Sequence, residues 1–268
     1  MKTTPKIPTA FIAQKDIEIQ SKKEDGEEKS VFWRNAFSEE LLGANVDRFY
    51  CTETLFGDWN GEVLLLAQDA MPAPVLKRDI TAFKKIGIPA SEAWVHADKD
   101  NPNRKYLDED RRKSRGGFKT NKFLIENKEK YIGSRGVLYG SVSANMLFDN
   151  KGEEEFQQKD IVSGFNNSEA REYMLSVLEW VVTNMPNLKV IFCVGEMAWR
   201  VSSDFSNLKK KDRHHRDYNG EPPKSLRVKI GGREIDLISS YHPSGPTSAD
   251  KVQRTKRSWE YLREFLNQ

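Results

Sequence analysis

Polar residues stand directly after four apolar runs in this sequence, and two of them carry groups able to do acid–base chemistry. Gln68-Asp69 follows Glu62–Ala67, Asn145 falls at the end of Val137–Met146, Gly195-Glu196 follows Lys189–Val194, and His242 follows Arg233–Ser240. A carboxylate from Asp69 and an imidazole from His242, delivered to one place, can stand on opposite sides of a bond. One then favours developing positive charge and the other hydrogen-bonds developing negative charge. A metal is not expected, because His96, His214, His215 and His242 have no compact ligand spacing with the carboxylates, and no cofactor motif is present.

Position is what selects these residues, and the elements that carry them set that position. Glu62–Ala67 (EVLLLA) is a continuous apolar run bounded by Pro72 and Pro74, as suits a strand buried on both faces. Val137–Met146 reads as a second strand and Lys189–Val194 as a third, with a helix starting near Glu196. Between the last two, Ser168–Met185 places Tyr173, Val177, Trp180 and Val181 at helical spacing, with Ser168 as N-cap and Pro186 beyond the end. Leu226–Ile230, Gly231-Gly232 and Arg233–Ser240 predict a hairpin. Thr247 or Ser248 caps a terminal helix through Phe265, and Ser38 caps one or two helices over Glu39–Phe56. Strands alternating with helices predict a three-layer α/β/α sandwich with a mainly parallel central sheet. In such sheets ligands bind at the carboxyl ends of the strands, where all four polar groups fall.

The 268 residues are expected to form one domain over 31–268, preceded by a polar, loosely ordered arm over 1–30 and carrying insertions near 98–130 and 207–224. Apolar residues make up 37 % and charged residues 31 %, and no run approaches the length of a membrane span or a secretory leader, so a cytoplasmic protein with no membrane partner is expected. A monomer is favoured, since nothing in the sequence specifies an oligomer. Cys51 and Cys193 have no CxxC spacing and read as free thiols in apolar surroundings. A net charge of +3 does not by itself identify a nucleic-acid binder. Local charge says more: Asn101–Lys122 holds eight Lys and Arg against three acids, Leu208–Arg216 is a second basic run, and Lys251–Arg257 has four bases and no acid. Each island alone could equally be a solvated face.

The segments LLLAQDAMPAP (Leu64–Pro74), VSANMLF (Val142–Phe148), VIFCVGEMAW (Val190–Trp199) and YHPSGPTS (Tyr241–Ser248), in this order, resemble the uracil-DNA glycosylase superfamily. The resemblance runs from about Gly57 to the C-terminus. It implies a monofunctional DNA N-glycosylase that flips a pyrimidine, uracil or a C5-modified one, out of the helix and hydrolyses its glycosidic bond to leave an abasic site, with DNA as partner. Asp69 then matches the aspartate that positions water and stabilises the oxocarbenium-like sugar, and His242 matches the histidine that donates a hydrogen bond to the base. Asn145 matches the asparagine whose amide reads the base edge. Gln68 adds contacts beside Asp69, and Phe83 serves as a stacking platform, although a helix core position explains Phe83 almost as well. On the DNA backbone the resemblance and the basic islands place Ser244, Arg111, Arg112, Arg115, Lys251, Arg254 and Arg257.

Two departures matter. Met71 stands where the uracil-specific branch has a tyrosine that excludes thymine, and a flexible thioether is a poor gate. Pro246 stands where an apolar wedge enters the duplex. An open gate with long basic loops points to a C5-modified pyrimidine, such as a hydroxymethylated or glucosylated base of phage DNA, and some similar proteins defend against modified phage genomes. Two other readings are kept: a catalytically silent DNA-binding protein of the same fold, and a small-molecule enzyme using Asp69 and His242 as an acid–base pair.

Overall fold

The computed structural model describes residues 17–22, 26, 28–35, 55–67, 127–142, 146–149, 166–242 and 248–268. Their centre is a six-stranded sheet built from β3 (Leu55–Gly57), β4 (Val63–Ala67), β5 (Val137–Ser141), β7 (Val190–Val194), β8 (Ser225–Ile230) and β9 (Arg233–Ser240). The strand order is β3-β5-β4-β7-β9-β8. The four inner strands run parallel, while β3 and β8 pair antiparallel at the two edges. This is a mixed α/β fold with a mostly parallel sheet, as the alternation of apolar runs and helical periodicity predicts.

Both faces of the inner strands are covered, which is why those strands are apolar without alternation. On one face, Leu64, Leu66, Ile191, Cys193 and Leu237 pack against α1 (Ser168–Asn184) and α2 (Glu196–Ser203). On the other, Val63, Leu65, Val190, Phe192 and Ile238 pack against α4 (Ala249–Leu266) and a π-type turn at Lys128–Ile132. The Phe192 and Trp259 rings meet with centroids 4.5 Å apart, pinning α4 to the middle of the sheet. Each fully buried Val, Leu or Phe of this kind stabilises the fold by about 1.5–3 kcal/mol.

The helix ends have identifiable causes. Asn167, not the expected Ser168, is the N-cap of α1, its side chain accepting from the Ala170 N–H at 3.0 Å. Beyond α1, Arg233 donates to the carbonyls of Val182 and Met185, both at 2.7 Å, supplying donors and positive charge where a helix leaves acceptors unpaired. Ser248 caps α4, as one of the two expected candidates. The β8–β9 hairpin turns on Gly231 and Gly232 at φ 55° and 81°, the left-handed conformation that the glycine pair predicts.

Three expectations change. Val137–Met146 is not one strand: β5 ends at Ser141, and Met146–Asp149 forms β6 in a separate three-stranded sheet of order β1-β2-β6. The other members are β1 (Ile17–Lys22) and β2 (Glu28–Asn35), so part of the polar arm is an antiparallel hairpin rather than loosely ordered chain. In both cases the missing information is a pairing partner remote in sequence, which local composition does not encode. Leu55-Phe56, expected to close a helical segment, instead begin the edge strand β3; the rest of Glu39–Phe56 lies outside the described residues.

Candidate functional site

The carboxyl ends of the parallel strands form one row. Ala67 is registered with Ser141, Leu66 with Cys193, and Val194 with Ser240, so β4, β5, β7 and β9 all stop at the same level. Val142 N–H donates to the Ala67 carbonyl at 3.0 Å, closing the β4–β5 side of the row. On the β9 side, the Ser240 carbonyl accepts from the Gly195 N–H at 2.8 Å. Gly195 sits at φ 106°, a conformation open to glycine and strained for other residues, and this turns the chain from β7 directly into α2.

Ser240 accepts a second hydrogen bond. The His215 imidazole donates from Nε2 to the same carbonyl at 3.1 Å, and Asn219 approaches its Nδ1 at 3.2 Å. Donation from Nε2 leaves Nδ1 as an acceptor; the Asn219 amide nitrogen lies close to both ring nitrogens, 3.4 Å from Nε2 as well, and its Oδ1 is buried without a hydrogen-bond partner. His215 is only 7 % exposed. Burial holds its pKa below the ordinary histidine value, outweighing the upward pull of the Ser240 bond and Glu196, while Arg216 adds to the depression. Its ring meets Tyr241 edge-on, centroids 5.3 Å apart.

Tyr241 and His242 leave β9 immediately beyond this anchor, both half-buried. Burial also lowers the His242 pKa, so at neutral pH this side chain is an uncharged imidazole able to donate one hydrogen bond and accept another. From α4, Lys251 Nζ lies over the Tyr241 ring, 5.7 Å from its centroid. The site edge is therefore framed by the β7–α2 turn, α3 (His215–Tyr218) and the first turn of α4.

Of the residues singled out in the sequence, His242 and Lys251 come together at this edge. Arg254 and Arg257 lie on the same helix but are engaged: Arg254 Nε contacts Asp250 at 3.0 Å, and Arg257 Nη1 contacts Glu221 at 2.5 Å. Asp69, Gln68, Met71, Phe83, Asn145, Ser244, Pro246, Arg111, Arg112 and Arg115 lie outside the described residues. Cys193 is a buried free thiol, pushed up to about 12 by burial, with no chemistry at this edge; Cys51 lies outside the described residues.

Sequence reasoning missed the roles of His215 and Asn219. Both fall in the stretch 207–224 that the sequence reading treats as an insertion, and His215 in its basic run. Lys209, Lys210, Lys211, His214 and Arg216 are indeed exposed. Arg213, however, turns inward to Asp204 at 2.6 Å, and its carbonyl accepts from Trp199 Nε1 at 2.8 Å. The signal present in the sequence is spacing: His215, Tyr218 and Asn219 stand at i, i+3 and i+4, and these three uncharged positions mark the inward face of a short helix among charges. Tyr218 packs on Trp199 at 4.7 Å.

Comparison with known proteins adds no name to this geometry: no family model matches the chain, and no curated protein matches it. No helix among the described residues is long and apolar enough to cross a membrane.

Proposed function

We propose that this protein is a monofunctional DNA N-glycosylase of the uracil-DNA glycosylase type, acting on a flipped-out pyrimidine with a substituent at C5. The observation that carries the reading is His242, a half-buried imidazole held neutral by burial, two residues past a doubly bonded strand end in the carboxyl row of a parallel sheet. A neutral imidazole donor suits a departing base that gathers negative charge, since it stabilises the anion without giving up its proton prematurely.

The sugar side requires a carboxylate. Asp69 follows the last residue of β4 by two positions, so covalent geometry keeps its Cα within about 7 Å of Ala67 Cα. Ala67 and Ser240 are two strand spacings apart across β7, about 10 Å. A nucleoside can be bracketed across that separation, with Asp69 orienting water at the sugar carbon and His242 facing the base. In this reading Asn145 reads the base edge, Phe83 stacks on it, and Gln68 and Met71 line a pocket wide enough for a C5 substituent. Ser244, Pro246 and the basic islands hold the DNA.

The test is release of bases from defined DNAs bearing uracil, 5-hydroxymethylcytosine or glucosylated hydroxymethylcytosine, scored as alkali-labile abasic sites. The expected result is release of a C5-modified base by the native protein and none by Asp69→Asn, with DNA affinity retained in the variant. Release from uracil DNA alone overturns the substrate assignment. DNA binding with no release from any of these substrates favours the catalytically silent reading.

A further inference from the structure

Ser240 is the last residue of β9, and its carbonyl is the last rigid point before His242. Two donors from different elements converge on that one oxygen: the Gly195 N–H at the start of α2 and the His215 Nε2–H from α3. A carbonyl oxygen has two lone pairs, and both are used. Rotating the Ser240–Tyr241 peptide therefore breaks two hydrogen bonds at once, in a place where Ser240 itself is fully buried. The next side chain, Tyr241, meets the same imidazole edge-on, centroids 5.3 Å apart, and has Lys251 Nζ over its ring, 5.7 Å from the centroid.

We infer that His215, oriented by Asn219, is a positioning residue for His242: it sets the direction in which the chain leaves β9 and so where the His242 imidazole stands. The kinetic side of this inference rests on the glycosylase reading; its geometric side does not. The same contacts give the 207–224 insertion a role. It is tied to α2 through the Trp199–Arg213 hydrogen bond and to α4 through the Glu221–Arg257 ion pair, and it carries His215 between them to the strand end. The insertion is a buttress beneath the site, with its lysines on the outer side.

A histidine that merely filled core volume would be replaced without loss at His242 by any side chain of similar size. A positioning histidine needs its donor. His215→Gln keeps an N–H at the place of Nε2, and His215→Leu removes it. Each folded variant is compared with the native protein in two ways: by the 15N shifts and titration of the His242 imidazole, and by single-turnover base release against DNA concentration.

His215→Leu is expected to shift the His242 signals and to lower the single-turnover rate by about 10- to 100-fold, as a sub-ångström to ångström displacement of a reacting group does. The half-saturating DNA concentration stays within about threefold, because only transition-state contacts are lost. His215→Gln restores both readouts towards native values. Should His215→Leu fail to fold, Asn219→Ala, which frees the imidazole to turn, carries the same expectation at about 3- to 10-fold. A folded leucine variant with unchanged rate and unchanged His242 titration overturns the inference. If the native protein releases no base, the glycosylase reading fails alone and the imidazole signals decide: movement in the leucine variant reversed by glutamine upholds the positioning role, and no movement overturns it.

Discussion

His215 Nε2 lies 3.1 Å from the carbonyl oxygen of Ser240, although His215 comes from a stretch with five Lys and Arg between Leu208 and Arg216. A buried hydrogen bond thus emerges from a segment whose composition speaks of solvent, and it ends two residues before the imidazole on which the proposed chemistry depends.

His242→Leu removes the proposed donor to the departing base. Base release is expected to fall by about 100- to 1,000-fold, the usual cost of losing one preorganised donor to a developing anion. DNA affinity, measured by fluorescence anisotropy, stays close to native. A variant with native single-turnover rates would remove His242 from the mechanism.

His215 and His242 are both expected to titrate below the ordinary histidine value of about 6.5. Heteronuclear NMR of the imidazole nitrogens checks this directly. It also reads the His215 tautomer, which the Ser240 and Asn219 partners require to carry its proton on Nε2 at neutral pH.

The same depression has a sign for stability. The unfolded chain takes up protons on these histidines near pH 6.5, while the folded protein withholds them to lower pH. Unfolding therefore becomes easier as pH falls through the unfolded value towards the folded one, and the stabilisation is fully present above it. The urea midpoint should be lower at about pH 5.5 than at about pH 7.5, and His215→Gln should shrink that difference. An equal difference in the variant would mean that His215 does not contribute.

The N-cap of α1 separates two adjacent residues. Asn167→Ala is expected to destabilise the fold by about 1 kcal/mol, through loss of the bond to the Ala170 N–H. Ser168→Ala, in the first turn, stays within about 0.5 kcal/mol of native. Denaturant unfolding of the two variants gives the comparison.

Lys251, Arg254 and Arg257 of α4 should not contribute equally to DNA binding. Arg254 and Arg257 already face Asp250 and Glu221, whereas Lys251 stands over the Tyr241 ring beside His242. Lys251→Ala is expected to reduce the slope of log affinity against log salt by about one, as for the loss of one phosphate contact. Arg257→Ala should change the slope less and lower thermal stability instead, since it releases the 207–224 buttress. The reverse order would place the phosphate contact at Arg257 rather than Lys251.

Local chemistry made much of this protein legible from its sequence alone. Apolar runs without alternation marked β4, β7 and the interior of β5, helical spacing marked α1, a capping residue marked α4, and paired glycines marked the β8–β9 turn, because each depends on residues within a few positions of one another. The selection of His242 rested on the same kind of signal, a polar residue after a buried strand. What only the tertiary structure decided was non-local. It set the order β3-β5-β4-β7-β9-β8, the departure of Met146–Asp149 to pair with β2, the strands within the polar arm, and the inward turn of His215 from a basic run. A strand's partner and a histidine's burial are fixed by hydrogen bonds and packing between segments far apart in the chain. His215 and Ser240 are 25 residues apart in sequence, and no window around either one contains the bond that joins them.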